Sequence, residues 1–150
     1  MLRRAAAKAA RRDARLPLVL ADAHRLPFRS GAFDGLTAAF GVRNFADRAR
    51  ALRECRRVLR GGGRIGVVEL GLPRPPLLRR AYLVYFTRVL PRIGALVSRD
   101  PAAYRWLPDS VLTWPAPEAF ARELEAVGFV DVRWNEWTLG IAVGTEGTAA

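Results

Sequence analysis

One cysteine, one histidine and one lysine occur among the 150 residues. With Cys55 alone, no internal disulfide can form and no metal site can be built on several thiolates. A single thiol fits a reducing cytoplasm. Acidic residues are also scarce, 14 against 25 basic ones, for a net charge of +11. Such an excess points to nucleic acid, an anionic membrane surface or an acidic partner. Lys8 being the only lysine, arginine supplies the rest, and it is spread along the chain rather than gathered in one block. A plain compositional bias therefore accounts for the charge equally well. Long uninterrupted apolar runs are missing too. Leu77–Val97 is mostly apolar, but Arg79, Arg80, Arg88 and Arg92 interrupt it and exclude a simple membrane span. Residues 1–15 are no secretory signal, because charges break up the alanines before an apolar core can form. The stretch shares an Arg-rich, acid-poor character with transit peptides, but it also suits an ordinary Ala/Arg helix. No internal repeat is present.

What is present reads as one globular domain, with 51% hydrophobic and 26% charged residues. Pro17 ends the first helix. Leu18–Leu20 is a short apolar run of the kind that forms a buried parallel strand, ending at Asp22-Ala23. Phe33–Phe40 is the next strand, stopped by Gly41. Asp47 is placed to cap a helix over Arg48–Arg60. In that helix Leu52, Cys55, Val58 and Leu59 make one apolar stripe. Gly61–Gly63 is expected to stop the helix, and Arg64–Leu70 to form a strand. Pro115 and Pro117 open a helix over Glu118–Val127. Phe129–Trp137 alternates as a strand with Val130, Val132 and Trp134 on one face. Leu139–Val143 is a further strand, and Gly144–Ala150 a frayed tail. Strand, helix, strand, helix, strand is the pattern of an α/β sheet with crossover helices, whose ligands lie at the carboxyl ends of the strands. The ends to inspect are Asp22-Ala23, Phe40-Gly41 and Glu69.

Three segments carry a resemblance: ADAHRLPF, FDGLTAAFGVRNF and ALRECRRVLRGGGRIGVVEL. Together they resemble the bacterial ubiquinone/menaquinone C-methyltransferases, a class I S-adenosylmethionine-dependent family. VLPRIGALVSRDPAAYRWLPDSVLTWP is similar to the same family's substrate-side insertion. The resemblance covers roughly residues 16–143. It implies a Rossmann-like α/β sheet, S-adenosylmethionine as cofactor and a prenylated quinol as acceptor, either demethylmenaquinol or 2-polyprenyl-6-methoxy-benzoquinol. The family has a G-x-G-like loop after its first strand and an acid at the end of its second, and this chain has neither. The sheet is therefore expected to be incomplete, without its first two strands, as in a truncated or split enzyme. Smaller departures are Gly61 where proline is usual, Ala39 where some members have serine, and the ending GIAVGTEG. One partial domain is expected: helix 1–15, cofactor-side core 16–71, substrate-side insertion 72–117, C-terminal helix and strands 118–143, and tail 144–150.

The resemblance also assigns roles. Asp22 accepts from the adenine amino group with the Ala23 N–H beside it, and a carboxylate suits an amine donor. Ala39 and Phe40 end their strand under the cofactor. Arg43 and Asn44 face the quinol. Arginine does not readily lose its own proton, so Arg43 stabilises a phenolate electrostatically rather than acting as a base. Apart from the resemblance, the aromatics gathered after the third strand, Tyr82, Tyr85, Phe86, Tyr104, Trp106 and Trp114, either wall a pocket for the ring and its tail, with Tyr82, Tyr104 and Trp114 as the substrate-binding candidates, or simply pack the core. His24 is read as a solvent-exposed bystander, Cys55 as a small core residue and Glu69 as structural or pocket-lining. The implied location is cytoplasmic, with peripheral contact at the inner face of an anionic membrane. No nucleic-acid partner and no metal is expected. Two other classes stay open: a non-catalytic remnant or subunit that needs a separate N-terminal half, and a basic binding module.

Overall fold

The computed structural model describes residues 2–11, 17–90, 92 and 108–150. Helix α1 spans Leu2–Ala10, within the helix expected over residues 1–15. Strand β1 is Phe33–Ala39 and strand β2 is Leu59–Leu70, with helix α2 (Arg48–Val58) crossing between them. Helix α3, Pro76–Val84, runs into one π-helical turn over Tyr85–Val89. Helix α4 is Pro117–Ala126, and strands β3 (Phe129–Trp137) and β4 (Ala142–Ala149) follow. The sheet order is β1-β2-β4-β3. β1 and β2 are parallel, while β4 runs antiparallel to both β2 and β3.

Local chemistry explains most boundaries. The Asp47 side chain accepts from the Arg50 N–H at 2.9 Å, satisfying one of the orphan donors at the start of α2. Leu52, Cys55 and Val58 are buried along one side of that helix. Leu52 and Cys55 meet Ile65 and Val67 of β2, Phe120 and Leu124 of α4, Phe129 and Ala149 in a single core. Burial pushes the Cys55 thiol up to about 11, as expected of a core thiol.

Several expectations are corrected. Leu18–Leu20 is not a strand, since its residues are exposed and no described strand pairs with it. An apolar run becomes a strand only when a neighbour accepts its ladder, and the free edge of β1 does not take it. Helix α2 ends at Val58 rather than at the glycines, because Leu59 is extended and pairs with Phe33. Gly61–Gly63 instead fills a bulge in β2, where the register jumps from Phe33↔Leu59 to Gly35↔Arg64 and Gly62 takes φ +76. The strand expected over Leu139–Val143 begins only at Ala142, and Gly144–Ala150 is no frayed tail. Gly144–Ala149 belongs to β4, hydrogen-bonded on both sides, and the Ala150 N–H donates to Gly128 O at 3.2 Å. Val130 leaves the face of Val132 and Trp134, because a bulge at Asp131 (φ +51) resets the alternation.

The link between β3 and β4 is unusual. Thr138, Leu139 and Gly140 all have positive φ, at 52°, 59° and 97°. The segment leaving β2 lies against this turn, with Gly71 N–H donating to Ile141 O at 2.9 Å and Arg74 N–H to Leu139 O at 3.1 Å. A Cβ on Gly71 would stand 2.5 Å from Gly140 O, so only glycine fits there.

Candidate functional site

The carboxyl ends of β1 and β2 gather most of the predicted residues. Asp22 precedes a tight turn, paired by an isolated bridge to Arg25. Its Oδ1 accepts from the His24 backbone N–H at 2.9 Å and lies 2.6 Å from His24 Nδ1. These bonds, the backbone one first, hold the Asp22 carboxyl below the usual range. Oδ2 takes no bond from any described residue, so a fixed, ionised carboxylate offers one oxygen to an outside donor. Ala23 follows it, half-buried.

His24 is not the exposed bystander expected. Its side chain is only 20% exposed. Nε2 accepts from the Asp47 N–H at 3.1 Å, and the ring meets Phe45 edge-on with centroids 6.1 Å apart. An acceptor Nε2 places the ring proton on Nδ1, directed at Asp22. The imidazole therefore joins the Asp22 turn to the cap of α2.

Helix α2 grips the same loop further along. Leu26 N–H donates to Glu54 Oε2 at 2.8 Å, while Arg57 donates to the carbonyls of Leu26 (3.0 Å) and Phe28 (2.7 Å). Glu54 and Arg57 also pair with each other at 2.8 Å, and with the Leu26 N–H this holds the Glu54 carboxyl at about 2. Sequence reasoning missed both residues. They lie three apart on the side of α2 away from its apolar stripe, the spacing of an ordinary surface ion pair.

β1 ends at Ala39, and Phe40 (φ +55) donates its N–H to Val68 O at 2.9 Å with its ring half exposed. A short 3₁₀ turn, Val42–Asn44, follows. Glu69, 2% exposed at the end of β2, accepts from the Val42 N–H at 2.8 Å, the Arg43 N–H at 3.3 Å and Arg43 Nη1 at 2.5 Å. Arg43 Nε donates to Ser110 Oγ at 3.3 Å. Arg43 is thus a fixed cation rather than a mobile surface group, and its Nη2 makes no bond to a described residue. Asn44 is exposed beside it. Glu69 proves to be the residue that sets the arginine, which its strand-end position hinted at without specifying.

Beyond the end of β2 lies a cavity of about 480 Å³, lined by Leu72, Arg74, Val111, Trp114, Glu136 and Gly140 among others. Trp114 packs on Phe120 with centroids 4.8 Å apart and lies under the Arg48 guanidinium at 5.2 Å. Arg48 is itself paired with Glu123 at 2.5 Å. Tyr82 stacks on Phe86 at 4.8 Å and does not line this cavity, and burial raises its hydroxyl pKa. Tyr104 lies outside the described residues. Among the described residues no group of three or more His, Cys, Asp or Glu could hold a metal.

The described fold is a parallel β–α–β unit with the Asp22 carboxylate ahead of the loop that enters it and a hairpin returning beside β2. The family model for the ubiE/COQ5 methyltransferases matches residues 1–148. The chain belongs to the ubiE/COQ5 methyltransferase family. It is 43% identical over 147 residues to a ubiquinone/menaquinone biosynthesis C-methyltransferase UbiE of Geobacter sp. (strain M21), covering 98% of this chain and 62% of that protein. It is 48% identical over 142 residues to a demethylmenaquinone methyltransferase of Thermus thermophilus, covering 95% and 64%. This ubiE/COQ5 chain thus spans somewhat less than two thirds of these relatives. Solved structures agree on the fold. An S-adenosylmethionine-dependent methyltransferase from Thermotoga maritima superposes with TM-score 0.66 at 18% identity, covering 96% of this chain and 69% of that one. One from Aquifex aeolicus gives 0.66 at 13%, covering 97% and 62%. The architecture is therefore that of a class I methyltransferase, represented by four strands of its sheet.

Proposed function

We propose that this ubiE/COQ5 chain supplies the adenine-facing and acceptor-facing parts of an S-adenosylmethionine-dependent C-methyltransferase acting on a prenylated quinol in quinone biosynthesis. Demethylmenaquinol and 2-polyprenyl-6-methoxy-benzoquinol are the two candidate acceptors, the first favoured by the name of the Thermus relative. The observation that carries this reading is the Asp22 carboxylate, tied through Oδ1 and free at Oδ2, bridged by His24 to the loop that presents Arg43. Asp22 Oδ2 accepts from the adenine amino group, and the Ala23 N–H lies beside it. Ala39 and Phe40 form the floor at the end of β1. The bound cofactor supplies an electrophilic sulfonium methyl. Arg43, oriented by Glu69, stabilises the phenolate of the acceptor ring through Nη2, and Asn44 orients a water that takes the phenol proton. Trp114, which lines the cavity, takes part in binding the acceptor, together with Tyr82 and Tyr104. Most of the rate comes from holding ring carbon and methyl group in line.

The adenine side fits this cofactor. The glycine-rich loop and ribose-binding acid must come from further polypeptide, either upstream of these residues or in a separate chain. The work takes place in the cytoplasm, at the inner face of the membrane. Within the described residues no helix is long and apolar enough to cross a membrane.

Calorimetry tests the division of labour. The 150-residue chain is expected to bind S-adenosylmethionine weakly or not at all, and micromolar affinity would contradict the need for the loop. Joined to the N-terminal part of a relative, it should methylate a quinol. Asp22→Ala in that joined protein should weaken cofactor binding by about 1–3 kcal/mol, the cost of removing a hydrogen-bond partner. Unchanged affinity would remove Asp22 from the site. The absent glycine loop favours one other reading, a non-catalytic subunit, and normal cofactor binding without methylation of any quinol would establish it.

A further inference from the structure

Helix α3 and its π-turn present apolar side chains outward as well as inward. Phe86 is buried, and Tyr82 is half-buried and stacked on it. The opposite side carries Leu77 at 83% exposure, Val84 at 46% and Tyr85 at 45%, with Ala81 exposed between them and Val89 one turn on. The spacing 77, 81, 84, 85 makes one continuous stripe along the helix. Water is a poor solvent for such a stripe, and isolated exposed residues would not line up this way.

Charge identifies what covers it. From Leu70 to Arg92 the sequence has five arginines and no acid. Arg74 is paired with Glu136 and Glu118. Arg79, Arg80, Arg88 and Arg92 pair with no carboxylate among the described residues. Arg80 lines the same shallow apolar groove as Leu77, Ala81, Val84, Tyr85 and Val89. A second copy of this helix would bring these unpaired arginines against one another, a like-charge contact. A surface with negative charge outside and hydrocarbon beneath matches both features. We propose that α3 and its π-turn form an interfacial element that lies on an anionic bilayer, with Leu77, Val84, Tyr85 and Val89 in the acyl boundary and Arg80 and Arg88 among the phosphates. Arginine side chains are long enough to keep their heads at that depth while their stems lie along the apolar stripe. This surface does not depend on the methyl-transfer reading, and its test does not measure methylation.

The test is flotation of the 150-residue chain through a density gradient with phosphatidylcholine vesicles, either pure or mixed with phosphatidylglycerol. Aggregates stay at the bottom and are not mistaken for binding. The chain should float with the anionic vesicles and not with the neutral ones. Leu77→Ser with Val84→Ser should lower partitioning about tenfold or more, because two side chains no longer leave water. Arg80→Gln with Arg88→Gln should lower it about tenfold or more, as each guanidinium near the surface contributes separately. Arg53→Gln with Arg122→Gln, an equal loss of charge at exposed positions on other helices, should change it less than about twofold, these sites being screened from the lipid. All six positions are exposed, and circular dichroism checks that each variant keeps its fold. Equal losses in all three variants would assign the attraction to net charge and overturn the proposal. So would flotation with neutral vesicles, or a lipid-free dimer that Leu77→Ser with Val84→Ser dissolves.

Discussion

On the face of the sheet toward α2 and α4, Ile65, Val67, Leu124 and Phe129 are almost completely buried. On the opposite face Thr37, Ala39, Gly66, Val68 and Gly144 line a shallow groove of about 310 Å³, partly open to solvent. The same strands therefore carry two kinds of surface. Branched and aromatic side chains interlock with helices on one, and mostly small side chains line the other, where the Trp137 ring lies over Gly144. Stability is concentrated where the apolar area is, so the covered face should respond strongly to truncation and the other weakly.

The largest effect should come from the carboxyl end of the covered face. Glu69→Ala leaves Arg43 as a buried cation whose only remaining described bond is to Ser110. It should destabilise by about 3–5 kcal/mol in urea unfolding. Replacing both partners, Glu69→Leu with Arg43→Met, should recover much of that, because the unpaired charge and not the lost bond is what destabilises. A double variant as unstable as Glu69→Ala alone would show that the pair itself holds the loop. Next, Leu124→Ala should lose about 2–5 kcal/mol, against less than about 1.5 kcal/mol for Val68→Ala on the other face. Equal losses would mean that the second face is packed as firmly as the first.

A smaller effect concerns acid. Glu54 ionises at about 2 in the folded protein, well below its ordinary value of 4.5. The folded state thus holds the proton less tightly than the unfolded chain, so the contribution is present above the ordinary carboxylate range. It is lost as pH falls from about 5 through 2. Wild type should lose more stability than Glu54→Gln over that interval, and parallel losses would mean that Glu54 is not the titrating group. Smallest is His24→Ala, expected to cost about 1 kcal/mol or less because the loop keeps its Glu54 and Arg57 bonds. Faster hydrogen exchange at the Asp47 amide would report it, and an unchanged rate would show that the imidazole does not anchor that end.

Elements set by local pattern are legible in the sequence, and elements set by pairing are not. Phe129–Trp137 is a strand to the residue, with its alternation regular from Val132 onward and interrupted before it by the bulge at Asp131. AVGTEGTA has no such pattern and is a strand only because β2 and β3 both pair with it. Leu18–Leu20 is the converse, with strand-like residues and no ladder to join. At the candidate site, the motifs around Asp22 and Arg43 drew attention to both residues, and their bonds to His24 and Glu69 are what the fold adds. Glu69, Glu54 and Arg57 were not legible in this way, because their significance lies in which backbone groups the fold brings to them.

The turn at Thr138–Gly140 winds in the opposite sense to the described helices. Two L-residues in that sense cost about 1–2 kcal/mol each, and only surrounding bonds can keep them there. Those bonds come from Gly71 and Arg74, in the segment that forms the floor and rim of the 480 Å³ cavity. The hairpin tip is therefore a coil wound against its natural hand, with its catch in the cavity wall. Arg74 acts there as a common rivet, its amide holding the hairpin tip and its guanidinium the carboxylates of Glu118 and Glu136.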